Sequence, residues 1–125
     1  MAKVLIIEDD VQVRNLLAFI LEREGFETVT AENGTVVPDI FKDHRFDVVL
    51  LDLFMPEKDG LETIQDLREK CGMENIIAIS GGGDYGMYDF LKVARNLGAK
   101  ATFAKPIDRK KLVSAIRSMA REKAA

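Results

Sequence analysis

Apolar residues in this chain follow two periods that take turns. Five runs have strand length: Lys3 to Ile7, Phe26 to Ala31, Asp47 to Asp52, Asn75 to Ser80, and Ala101 to Ala104. Between them, apolar residues recur every three or four positions, the stripe of an amphipathic helix. The stripes are Val13, Leu16, Leu17, Ile20 and Leu21; Val37, Ile40, Phe41 and His44; Leu61, Ile64 and Leu67; Met87, Phe90, Leu91, Ala94 and Leu97; and Leu112, Ala115, Ile116 and Met119. Gly25, Gly72 and Gly98 stand where helices should stop. Asn33-Gly34 reads as a turn, Pro38 fits only the first turn of its helix, and Asp108 is a natural N-cap. Arg and Lys between Arg117 and Lys123 suit the negative end of the last helix dipole.

Strict β-α alternation predicts a parallel sheet with right-handed crossovers and helices on both faces. A closed barrel needs eight such units, so five predict an open, doubly wound α/β sheet, (βα)5. The third strand has four apolar residues in a row, Val48 to Leu51, as expected for a strand covered on both faces. It nevertheless ends in a carboxylate, Asp52, with Pro56 and Asp59-Gly60 as loop signals beyond it. In open α/β sheets, ligands sit beyond the carboxyl ends of the strands.

Composition narrows the class. A chain of 125 residues, 47% hydrophobic and 31% charged, suits one ordinary globular domain, expected to span residues 1–125. Its apolar runs are too short to span a membrane, and the stretch after Met1-Ala2-Lys3 is too short for a signal peptide. One cysteine, Cys71, excludes an internal disulfide and fits a reducing compartment; one histidine, His44, excludes a Cys/His zinc site. A net charge of −3 and a pI near 5.2 are the wrong sign for a nucleic-acid binder. A cytoplasmic location and protein partners are the expectation.

The predicted strand ends bring chemistry together: Glu8-Asp9-Asp10 after the first, Asp52 after the third, Ser80 after the fourth and Lys105 after the fifth. Crowded acids raise one another's pKa unless a cation sits among them, and hard oxygen ligands at an open site suit Mg²⁺. Lys105 adds a positive charge and Ser80 a hydroxyl, enough to hold the oxygens of a phosphoryl group accepted by Asp52. Carboxylates are known nucleophiles toward phosphorus. Taken singly the pieces are bland. Asp52 alone reads as a loop cap, Glu8-Asp9 as a helix start and Ser80 as a strand end. Arg109, Lys110 and Lys111 read as a solvated helix face, and Tyr85, Met87 and Tyr88 as packing residues.

With Val4-Leu5-Ile6-Ile7-Glu8-Asp9-Asp10, Asp52-Leu53-Phe54-Met55-Pro56, Asp59-Gly60, Ser80-Gly81, Gly98-Ala99 and Lys105-Pro106 in this order, the chain resembles a response-regulator receiver domain. It is similar to the single-domain chemotaxis type of two-component signalling. The resemblance implies a flavodoxin-like strand order 2-1-3-4-5 and phosphotransfer to Asp52 from the phosphohistidine of a sensor histidine kinase or phosphotransfer protein. It implies Mg²⁺ (or Mn²⁺) held by Asp9, Asp52 and the backbone carbonyl of Phe54, with Glu8 acting through water. Ser80 and Lys105 would contact the phosphoryl group, Lys105-Pro106 would be cis, and Asp10 would begin the first helix. Gly81, Thr102, Phe103 and Pro106 would belong to the switch region, and a downstream target protein would read the surface of the fourth helix, fifth strand and fifth helix. No output domain is expected, and a monomer or weak homodimer is.

Three departures from the family pattern stand out. Thr102 occupies a position that is usually aromatic, and strand alternation turns Phe103 to the other face. The connection from Ser80 to Gly98 is longer than usual and begins with three glycines. Phe54 is bulky where it borders the site, and is expected to hinder water attack on phospho-Asp52. A phosphorelay shuttle and a receiver excised from a larger regulator fit equally well. A flavodoxin-like cofactor carrier fits less well, because Glu8-Asp9-Asp10 would repel a phosphate. A phosphohydrolase would want a second Asp where Phe54 stands. Any enzymatic chemistry should be limited to self-phosphorylation and dephosphorylation.

Overall fold

The computed structural model describes residues 2–53, 60–80 and 87–124, apart from the side chains of 87–90 and 122–124. The elements are β1 (Lys3–Ile7), α1 (Val11–Arg23), β2 (Glu27–Ala31), α2 (Val37–Asp43), β3 (Val48–Asp52), α3 (Gly60–Cys71), β4 (Ile76–Ser80), α4 (Met87–Leu97), β5 (Ala101–Ala104) and α5 (Arg109–Ala124). The strands form one parallel sheet in the order β2-β1-β3-β4-β5, as the resemblance implied. A doubly wound flavodoxin-like (βα)5 architecture is therefore observed. β2, β3 and β4 each begin one residue later than the apolar runs suggest.

Strand alternation divides the core in two. Val4, Ile6, Val48, Leu50, Ile77 and Ile79 face Leu17 and Leu21 of α1 and Leu112 and Ile116 of α5. Leu5, Ile7, Val49, Leu51, Ile76 and Ala78 face α2, α3 and α4 through Val37, Ile64, Leu67 and Ala94. The central strands are thus covered on both faces, which is why β3 and β4 read as unbroken apolar runs.

The helix ends follow their side chains. Asp10 caps α1, its Oδ1 accepting from the N–H groups of Gln12 (2.9 Å) and Val13 (3.3 Å). Asp108 Oδ1 accepts from Lys111 N–H at 3.1 Å, and Gly25, at φ 94°, follows α1 as the left-handed residue that ends it. Pro38 lies in the first turn of α2, where its missing N–H costs no hydrogen bond.

Four readings need correction. Leu16 is 57% exposed and does not belong to the buried stripe of α1. At about 100° per residue it stands about 100° from Leu17, off the side that meets the sheet. His44 lies beyond α2 in extended backbone, where Lys3 Nζ is 2.7 Å from its Nδ1. Asn33-Gly34 is more than a turn, because Asn33 caps a single 3₁₀ turn (Gly34–Val36) that leads into α2. Arg117 serves the end of α1 rather than of its own helix, its Nη2 donating to the carbonyl of Glu24 at 2.9 Å. Met87 and Phe90 of the α4 stripe lie outside the described side chains.

Leu16 and Leu21 give a direct contrast, since they look alike in sequence and Leu21 is fully buried. Leu21→Ala is expected to destabilise the protein by about 3 kcal/mol and Leu16→Ala by under about 0.5 kcal/mol. Urea denaturation of both variants measures this, and equal losses would show that the burial of α1 is misread.

Candidate functional site

Because all five strands run the same way, their carboxyl ends open at one edge of the sheet. The register sets what meets there. Ile7 pairs with Leu51, so Glu8 and Asp52 follow side by side on β1 and β3. Ser80 pairs with Ala104, and Lys105 N–H donates to the Ser80 carbonyl at 2.9 Å, which brings Lys105 to the same edge. One carboxylate oxygen from each of Glu8, Asp9 and Asp52 lies within 4.8 Å of the others. Lys105 Nζ is 3.4 Å from Glu8 Oε2 and 3.7 Å from Asp52 Oδ2. Glu8 and Asp52 are buried and Asp9 is exposed, so the cluster is open on one side.

Lys105 offsets only part of the negative charge around Glu8. The Glu8 pKa is pushed up to about 7, first by burial and then by the negative charge of Asp52. A hydrogen bond with Asp52 also favours the protonated form, while Lys105 and the Asp10 N–H, 3.3 Å from Oε1, pull the other way. Ser80 Oγ is buried, with no hydrogen-bond partner among the described residues. Leaving a buried hydroxyl unpaired costs about 1–3 kcal/mol. The cluster therefore lacks positive charge, and Ser80 lacks an acceptor. All three acids offer hard oxygen, which suits Mg²⁺ or Mn²⁺ better than softer metals.

Arg14, which the sequence did not single out, and Gly60 support the arrangement. Arg14, on the first turns of α1, donates from Nη1 to the Glu8 carbonyl at 2.9 Å and so ties the acidic segment to the helix. Gly60, read as a loop signal and as part of the receiver-like motif set, packs its backbone directly on the end of β3. A Cβ there would lie 2.4 Å from Leu53 Cα and 2.9 Å from the Asp52 carbonyl. Both contacts span only six to eight residues, but they depend on the path of the loop between strand and helix, which residue type alone does not give.

The remaining expectations divide. Lys105-Pro106 is cis. Phe103 is half-buried against the α1–α5 side of the sheet, which leaves Thr102, its neighbour in the strand, on the other face. Phe54, Met55, Pro56, Asp59, Gly81 and Tyr85 lie outside the described residues.

Residues 4–117 match the family model of the response regulator receiver domain. The chain belongs to this family, whose members are signalling domains of two-component systems. It is 40% identical to sporulation initiation phosphotransferase F of Bacillus subtilis over 106 residues, 85% of this chain and 83% of that protein. It is 32% identical over 115 residues to the chemotaxis protein CheY of the same organism, covering 91% and 93% of the two chains. With the transcriptional regulatory protein CpxR of Escherichia coli it shares 32% identity over 121 residues, and there it spans 50% of the longer protein. Among solved structures, a response regulator receiver domain from Clostridium thermocellum superposes with a TM-score of 0.89 at 28% identity, covering 99% and 98% of the two chains.

The raised pKa of Glu8 predicts a pH dependence in metal-free protein. Folding tightens proton binding at Glu8, so its contribution to stability is full below about pH 4.5 and is lost as pH rises through about 7. In EDTA, the Tm of the wild type should fall by several degrees between about pH 5 and about pH 8, and that of Glu8→Gln by less. Millimolar Mg²⁺ should recover the loss in the wild type. Identical pH profiles for the two proteins would disprove this account of Glu8.

Proposed function

We propose that Asp52 is the phosphoacceptor of this receiver. The observation that carries the reading is the convergence of Glu8, Asp9 and Asp52 within 4.8 Å, with Lys105 Nζ 3.7 Å from Asp52. An Asp52 carboxylate oxygen attacks the phosphorus of a phosphohistidine on a sensor kinase or phosphotransfer protein. The O–P bond forms as the N–P bond breaks, and its electron pair returns to the imidazole nitrogen. Lys105 follows the charge, exchanging its contacts with the carboxylates for the phosphoryl oxygens, and Ser80 donates its unpaired hydroxyl to one of them. Glu8, Asp9, Asp52 and the Phe54 carbonyl would hold Mg²⁺ or Mn²⁺, which supplies the charge neutralisation that the acidic cluster lacks. No turnover of a separate substrate is involved, so the domain is a switch with self-phosphorylation chemistry rather than an enzyme.

The same reading makes residues 1–125 one cytoplasmic receiver unit, a monomer or weak homodimer. It signals by protein contacts across α4, β5 and α5, with Gly81, Thr102, Phe103 and Pro106 in the switch region. A second reading, a phosphorelay shuttle, is favoured by the 40% identity to a protein named as a phosphotransferase. It requires phospho-Asp52 to give its phosphoryl group to a histidine phosphotransfer protein, whereas a terminal switch keeps it until hydrolysis.

Acetyl phosphate with Mg²⁺ should add one phosphoryl group to the wild type by intact-mass spectrometry, and none to Asp52→Asn or in EDTA. A wild type that gains no Mg²⁺-dependent phosphoryl group would overturn the assignment. Phe54→Asn should shorten the lifetime of phospho-Asp52, by removing bulk that bars water. An unchanged lifetime would clear Phe54 of that role.

A further inference from the structure

Charge is spread unevenly over this chain. α5 holds six of its 18 basic residues and one of its 21 acidic ones, a net +5 on one helix of a protein at −3. Arg109, Lys110, Arg117 and Arg121 line a groove of about 520 Å³ between α5 and the end of α1, with Glu24 on the opposite wall. Arg109, Lys110 and Arg121 are exposed, and none has an acidic partner within 4.0 Å among the described residues. Glu24 shows how the groove takes a carboxylate. Arg117 Nη2 donates to Glu24 Oε2 at 3.0 Å, and its guanidinium sits 5.6 Å from the centre of the Phe26 ring.

We infer that this groove docks an acidic peptide segment of a partner protein, laid along α5. Twelve residues separate Arg109 from Arg121, about 18 Å along a helix. A single phosphate cannot bridge that distance, whereas an extended segment of about six residues does. A lipid surface fits poorly, because the apolar stripe of α5 is already committed to the core, Leu112, Ile116 and Met119 all being buried. A polynucleotide fits poorly too, since the rest of the chain carries −8 (the −3 of the whole less the +5 of α5) and repels a long polyanion. Short acidic peptides meet the basic groove without crossing those acids. The groove lies on the α1 side of α5, away from the α4–β5–α5 edge, and its recognition does not pass through Asp52.

A fluorescein-labelled ten-residue peptide of alternating glutamate and alanine probes the groove in low salt. Anisotropy should rise on adding the wild type and equally on adding Asp52→Asn, so failure of the phosphoacceptor reading would leave this result standing. The double variant Arg109→Glu/Arg121→Glu, whose changed residues are exposed, should bind about tenfold more weakly while keeping its circular dichroism spectrum. Amide shifts in ¹⁵N spectra should fall on α5 and around Glu24. Equal binding by the double variant, shifts confined to other surfaces, or tighter binding of a ten-nucleotide single strand or of phosphatidylserine vesicles would each overturn the proposal.

Discussion

Parallel pairing of β1 with β3 forces Glu8 and Asp52 together, and the rest of the molecule is arranged around that repulsion. The register is held by the buried faces of both strands, so the carboxylates cannot move apart without moving the core. Lys105 arrives from β5 to offset part of the charge, and Glu8 absorbs much of the remainder by binding a proton more tightly. Arg14 and Gly60 work on the backbone instead, one tying the Glu8 carbonyl to α1 and the other letting α3 start against the end of β3. The acidic cluster keeps its geometry because two hydrophobic layers fix the strands beneath it.

Much of this was legible in the chain because two periods, 2 and 3.6, carry most of the information about layers. Val48 to Leu51 read as a doubly covered strand, and that reading placed Asp52 at the edge of the sheet. The readings that failed share a cause. Leu16 and Leu21 have the same side chain, and only the direction from which α1 meets the sheet separates them. Arg117 sits near a helix end in sequence, yet the helix end it serves belongs to α1, 93 residues away along the chain. Gly60 shows only a turn preference in sequence, because its reason is how tightly α3 starts against the end of β3, seven residues back. Local pattern encodes facing, and contact between distant segments has to be seen.

The Ser80 hydroxyl, unpartnered among the described residues, and the Lys105 ammonium also bear on how a signal would leave the site. Ser80 ends β4 and Lys105 follows β5, and the hydrogen bond from Lys105 N–H to the Ser80 carbonyl couples the two strand ends. A charged group bound at the cluster would give Ser80 an acceptor and draw Lys105 off Glu8, so both changes would fall on the same pair of strands. A ligand shifts a conformational equilibrium only by what it gains in one state over the other. Under the proposed function the gain would fall on the ends of β1, β3 and β4 and on the start of the β5–α5 connection, where Glu8, Asp52, Ser80 and Lys105 meet. Thr102 lies on β5 three residues before Lys105, and its small side chain fills less space on that face than an aromatic ring would. Under the proposed function, a movement that reaches β5 would be read more by backbone position and by the neighbouring helices than by the swing of one large side chain.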